Sequence, residues 1–193
     1  MRLFLAIPVT VAARGAASAI AGDVRRGLAA RAIKWVEAEN LHVTLRFLGE
    51  VDATRVIGLQ SLLTPPLATR CFSLVLGGAG CFPSAGLPRV LWIGVSDGAA
   101  KARAVFAELE ERLSSLEFPR EARVYTPHLT LGRVREISRE EGRRVRERLA
   151  QVAAPLATSR VDRVTLYRSH LTPSGSRYEA LMEMALAAPA EIV

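Results

Sequence analysis

Two of the three histidines in this 193-residue chain open the same tetrapeptide, His42-Val43-Thr44-Leu45 and His128-Leu129-Thr130-Leu131. Successive side chains of an extended strand point to opposite faces, so residues i and i+2 share a face about 7 Å apart. Each copy therefore reads as a strand with histidine and threonine on one face. Val43 and Leu45, or Leu129 and Leu131, turn into a core on the other. A chance repeat is on the order of one in 2,000, because a random histidine so rarely meets the pattern. The repetition implies a duplicated half, with two related lobes facing each other across a cleft.

Facing imidazoles supply an acid and a base near neutral pH, since an unperturbed histidine has a pKa of about 6.5. The hydroxyls of Thr44 and Thr130 can donate to anionic oxygens. A phosphodiester calls for this set: one imidazole takes a proton from the attacking oxygen, the other protonates the leaving oxygen, and donors hold the non-bridging oxygens as charge builds. The chemistry requires no metal. Three histidines could instead form a zinc site, a reading that leaves the paired threonines without a purpose. Taken singly, each histidine would be read as an ordinary packed or surface residue; the duplication is what argues otherwise. A third, broken copy is His170-Leu171-Thr172-Pro173. Pro173 cannot donate to a ladder, which puts Thr172 in a loop and makes His170 a structural or rim residue.

Around the motifs, LFLAIPV reads as a strand ended by Pro8, residues 11–30 as a helix, and 41–51 as the first motif strand. Asp52 is the expected N-cap of a helix through Leu63, closed by Pro65 and Pro66. Strands are expected at 71–80, 89–95 and 128–134, and a helix capped by Asp97 at 98–116. A strongly charged helix runs from Ser138 to about Val152. Two strands, 160–171 and 177–186, flank the turn TPSGS, and the last seven residues read as a loose tail. No glycine-rich phosphate loop opens a helix, so the fold class is α+β with antiparallel or mixed sheets rather than doubly wound.

The net charge of +7 favours an anionic partner such as nucleic acid. Nearly all of that charge is arginine, which points partly to compositional bias, although arginine is also the better fork for phosphate. Cys71 and Cys81 form no CxxC pattern and read as reduced thiols. No stretch reaches the roughly 18 apolar residues of a membrane span. Met1-Arg2 followed by LFLAIPVTVAA imitates a secretory signal, but Arg14 interrupts it before any cleavage site.

On RLFLAIP, NLHVTLRFLGEV, RVLWIGV, TPHLTLGRV and the closing SHL and GSRY segments, the chain resembles the two-histidine phosphoesterase superfamily, in particular the RNA 2′,3′-cyclic phosphodiesterases also called 2′-5′ RNA ligases. The resemblance spans nearly the whole chain. It implies one domain over residues 1–193, built of two pseudo-symmetric lobes, each an antiparallel sheet with outer helices, around a central cleft. It implies His128 as the general base activating water and His42 as the general acid protonating the 3′ oxygen, leaving a 2′-phosphomonoester. Thr44 and Thr130 would hold phosphate oxygens, and the reverse reaction would be 2′-5′ ligation. RLFLAIP then becomes a core strand and the protein a cytoplasmic one, a monomer without cofactor or membrane, acting on RNA ends or cyclic nucleotides.

Arg46 and Arg133 follow the motifs and are candidates for further phosphate or backbone contacts, against the alternative of solvated strand-end arginines. Phe47 and Trp92 could stack a base or pack in the core. Tyr178 and Ser169 fall in the closing segment without an assigned role. The arginines of 139–148 could track an RNA backbone or form a solvated face. Small cyclic phosphates or 2′-5′ oligonucleotides as substrates, and a binding module without catalysis, stay open as alternatives.

Overall fold

The apolar runs form strands because each buries alternate side chains against a helical layer. Leu3, Leu5 and Ile7 of β1 (Arg2–Pro8), and Val43 and Leu45 of β3 (His42–Glu50), are buried in this way. So are Leu91 and Ile93 of β6 (Val90–Asp97), and Leu129 and Leu131 of β7 (His128–Val134). The computed structural model describes residues 1–26, 28, 32–172 and 175–188. The remaining strands are β2 (Ile33–Trp35), β4 (Leu67–Arg70), β5 (Phe72–Phe82), β8 (Ala157–Val161), β9 (Arg163–Thr172) and β10 (Gly175–Ala187). Helices are α1 (Val11–Arg25), α2 (Ala53–Leu63), α3 (Ala99–Ser114) and α4 (Arg139–Ala150).

All ten strands join one sheet in the order β4-β10-β9-β1-β3-β7-β6-β5-β8, with β2 pairing β7 off the path. The α+β class with a mixed sheet agrees with the reading of the residues, while the single continuous sheet differs from the separate antiparallel sheets that the resemblance implies. Strands β3 and β7 connect through one antiparallel register pair, Val43 with Leu129, and β4 joins β10 in parallel. Helix α1 packs against β7 and β8, α4 against β5, and α3 against β4 and β6, with α2 on α3.

Several local expectations shift. Strands β2 and β4 are only three and four residues long, too short for a periodic signal. The strand expected at 160–171 is divided at Asp162 into β8 and β9. Helix α1 ends at Arg25; of the residues expected to extend it, 27, 29 and 30 lie outside the described residues. Pro173 and Ser174 of the expected turn, and residues 189–193 of the expected tail, also lie outside them. Asp52 occupies the N-cap of α2 without a side-chain capping bond. At α3 the cap is Gly98, in the left-handed region at φ 80°, and Asp97 accepts only the Gly98 N–H at 2.7 Å. Ser138 caps α4 with a full capping box to Glu141.

The largest departure from simple alternation follows each threonine. Ala6 pairs with Thr44 but Leu5 pairs with Arg46, leaving Leu45 as an extra residue. Likewise Trp92 pairs with Thr130 but Leu91 pairs with Gly132, leaving Leu131 extra. A bulge of this kind reverses the facing of everything beyond it. Four residues after its histidine, Arg46 is thus carried to the core side instead of the motif face. There its Nε donates to Glu110 Oε1 of α3 at 2.6 Å, and its other nitrogens donate to the Phe47 and Pro119 carbonyls. Both side chains of the ion pair are only 10% exposed. Arg46 is therefore committed to tying β3 to α3, which corrects the expectation that it contacts phosphate. At the matching place in β7 stands Gly132, where a Cβ would come within 2.8 Å of Ile33 Cγ2 and 3.2 Å of the Lys34 carbonyl in β2.

Removing one member of a buried ion pair strands the other charge. Glu110→Ala is expected to lower unfolding stability by about 3 kcal/mol, read from urea denaturation, and an unchanged midpoint would contradict the tie.

Candidate active site

His42 and His128 each begin a strand, and each is anchored the same way. His42 Nδ1 lies 2.7 Å from the Asn40 carbonyl and His128 Nδ1 lies 2.7 Å from the Thr126 carbonyl. A carbonyl can only accept, so Nδ1 carries the proton in both rings and Nε2 holds the lone pair of the neutral imidazole. His42 Nε2 is 3.0 Å from Thr44 Oγ1. The antiparallel register about Val43 and Leu129 puts His42 across from Thr130 and His128 across from Thr44.

A cavity of about 400 Å³ opens beside this array, lined among others by His42, Thr44, Thr130, Arg133, Phe47 and Tyr178. His128 is outside that lining but adjoins it on β7, two residues from Thr130. Beyond the second bulge, Arg133 returns to the cleft face, five residues after its histidine, and its charge acts on His128. The cleft thus receives Arg133 and not Arg46, although both follow a motif.

Aromatic rings wall both histidines. Phe4 stacks on His42 at 5.0 Å, and Tyr178 meets it edge-on at 5.4 Å. Phe82 meets His128 edge-on at 5.2 Å, with Trp92 at 6.3 Å. Of the two residues considered for base stacking, Phe47 is 53% exposed on the cleft. Trp92 is packed over Gly80 instead, where a Cβ would lie 2.6 Å from the indole. Ser169 joins Tyr178 in the lining.

Enclosure disfavours charge on both imidazoles. Burial pushes the His42 pKa down to about 4, against a smaller opposing effect of the Asn40 hydrogen bond. Burial also lowers that of His128; the Thr126 hydrogen bond opposes the shift and the nearby Arg133 charge adds to it. Both rings are therefore neutral at pH 7.

His170 sits on the opposite face of β9 from Ser169 and Leu171 and is 2.7 Å from Glu179. The three histidines do not converge, and among the described residues no group of three His, Cys, Asp or Glu is placed to hold a metal ion. Four of the five arginines of α4 are also committed elsewhere. Arg143 and Arg144 pair with Glu147 and Glu140, Arg146 donates to the Ser84 carbonyl at 2.8 Å, and Arg148 donates to the Val24 carbonyl at 3.0 Å.

Sequence reasoning missed Phe4, Asn40, Thr126 and Tyr125. Tyr125 donates to the Thr44 carbonyl at 3.1 Å while stacked on Phe106. Asn40 and Thr126 act on the imidazoles through backbone carbonyls, which every residue type possesses, so their identity carries no signal.

The lowered histidine pKa values have a thermodynamic counterpart. As pH falls through 6.5 the unfolded chain takes up protons that the folded chain refuses until about pH 4. Stability is therefore fully present above pH 6.5 and lost on descending toward 4, with His42 contributing up to about 3 kcal/mol. Urea midpoints at pH 7.5 and 4.5 test this: the drop should shrink in His42→Gln, and an equal drop in both proteins would refute the assignment.

Residues 12–173 match the family model described as the 2′-5′ RNA ligase superfamily. The RNA 2′,3′-cyclic phosphodiesterase of Methanocaldococcus jannaschii is 34% identical over 184 residues, covering 95% of this chain and 99% of that protein. A protein of the same name from Thermotoga maritima is 34% identical over 185 residues, covering 95% and 94%. The crystal structure of E. coli LigT complexed with 3′-AMP is similar at a TM-score of 0.73 and 26% identity, over 96% of this chain and 97% of that one. A Thermus thermophilus crystal structure matches at a TM-score of 0.74 and 28% identity, over 96% and 98%.

Proposed function

This chain belongs to the 2′-5′ RNA ligase superfamily, and from that membership and the paired imidazoles of the cleft we infer that it hydrolyses RNA 2′,3′-cyclic phosphodiester ends to 2′-phosphomonoesters. The observation that carries the reading is the matched anchoring of the two rings. Each Nδ1–H is fixed on a backbone carbonyl two residues upstream, which leaves each Nε2 available for proton transfer.

In this reading His128, neutral before substrate binds, takes a proton from the attacking water. His42 gives a proton to the departing 3′ oxygen. His42 takes that proton up from solvent as the substrate binds, because an anionic phosphodiester entering the cleft supplies the opposite charge that burial withholds. The Thr44 hydroxyl, within hydrogen-bond distance of His42 Nε2, turns with Thr130 to the non-bridging oxygens, and Arg133 adds a fixed positive charge. No metal ion takes part. The same geometry run backwards joins a cyclic end to a 5′ hydroxyl. The proposal treats the 193 residues as a single two-lobed domain, the lobes meeting at Val43 and Leu129, and the protein as a cytoplasmic monomer. Among the described residues no helix is long and apolar enough to cross a membrane.

The test is turnover of a short RNA bearing a 2′,3′-cyclic phosphate, with EDTA present. The wild type should yield a 2′-phosphate. His42→Ala and His128→Ala should each lose about 10²–10⁴-fold in rate, with circular dichroism unchanged. Full activity in either variant, or a strict requirement for added zinc, would reject the mechanism. Nucleoside cyclic phosphates and 2′-5′ oligonucleotides assayed alongside separate the alternative substrates.

A further inference from the structure

Arg2 lines the same cavity as His42, Thr44, Thr130 and Arg133. It is exposed, and its side chain makes no hydrogen bond or ion pair to any described residue. Glu50, its register partner on β3, is instead 3.5 Å from the terminal ammonium of Met1. Many arginines elsewhere are engaged: Arg46 with Glu110, Arg112 with Glu108, and Arg146 and Arg148 with backbone carbonyls. An unpaired guanidinium on a concave wall is an open anion site, and its planar fork suits phosphate oxygens.

We propose that Arg2 forms a second phosphate subsite that binds the phosphate on the 5′ side of the terminal nucleoside, so that the cleft selects the end of an oligoribonucleotide over a cyclic mononucleoside. This rests on the phosphodiesterase reading above, which fixes the direction of the substrate. The leaving 3′ oxygen belongs to the sugar, so the sugar lies beside the general acid, His42. The attacking water lies beside His128.

From His42 the wall continues through Phe4, stacked on it at 5.0 Å, to Phe47, whose ring centre is 5.9 Å from that of Phe4. Exposed Phe47 offers a face on which a base can stack. Gly49, at φ 74° and without a side chain, keeps the wall low beyond it. Arg2 stands two residues past Phe4 on β1, about 7 Å further along the strand. The group that follows the terminal sugar in an RNA chain is its 5′ phosphate. The order of the wall, acid then aromatic rings then free guanidinium, follows the order of the substrate.

The experiment compares kcat/KM for wild type, Arg2→Ala and Arg2→Lys on three substrates. These are a dinucleotide with a 2′,3′-cyclic end, a nucleoside 2′,3′-cyclic phosphate, and the same nucleoside carrying an added 5′ phosphate. The wild type should favour the dinucleotide and the 5′-phosphorylated nucleoside alike. In Arg2→Ala their advantage over the plain nucleoside should fall about tenfold or more, mainly through KM, with Arg2→Lys intermediate. An unaltered ratio in Arg2→Ala, or a wild type that favours the dinucleotide but ignores the added 5′ phosphate, would overturn the subsite. A wild type that prefers none of the three would do the same. A wild type that turns over none of them would instead overturn the phosphodiesterase reading itself.

Discussion

Val43 and Leu129 make the one register pair between β3 and β7, and the placement of the site follows from it. Through that pair each histidine comes to lie opposite the threonine of the other motif. Both partners are fully buried, so the contact that aligns the polar face is held by apolar packing on the reverse face. A shift of one residue in this register would turn the histidine and threonine of one strand into the core and its apolar pair into the cleft, a change that hydrophobic burial opposes.

The bulges at Leu45 and Leu131 then divide labour among the arginines. Without them, strict alternation would present Arg46 to the cleft and hide Arg133. With them, the +4 position faces the helices, where one motif uses an arginine for an ion pair and the other needs glycine to admit β2. The +5 position faces the cavity, as aromatic Phe47 in one motif and cationic Arg133 in the other. The two halves of the cleft are thus matched in their reacting groups and unlike in their walls. Under the proposed chemistry that asymmetry lets a substrate with a sugar on one side and water on the other bind in one orientation.

Burial sets the electrostatics. Aromatic neighbours keep His42 and His128 neutral, yet each keeps a backbone acceptor that fixes its tautomer. An imidazole in such a setting responds to an incoming anion more than one in water does, because little solvent screens the new charge. The same enclosure lowers acid stability, so the property that suits the site to a phosphate carries a cost to the fold.

The repeated His-x-Thr-Leu pattern and the apolar alternation around it were legible from the residues, because strand periodicity and burial are local rules. They determined the motif strands, the candidate acid and base, the threonines beside them, and an α+β class. Most helix and strand positions followed from the same signals. Tertiary structure decided which arginine reaches the cleft. The bulges that reverse its facing arise from pairing with β1 and β6, distant in sequence from β3 and β7, and leave no mark in the motif. It also decided that Met1-Arg2-Leu3-Phe4, readable as the start of a secretory signal, supplies a ring against His42 and a free guanidinium to the cavity. That role exists only because β1 lies between β3 and β9, and neighbourhood in a sheet is a property of the whole chain.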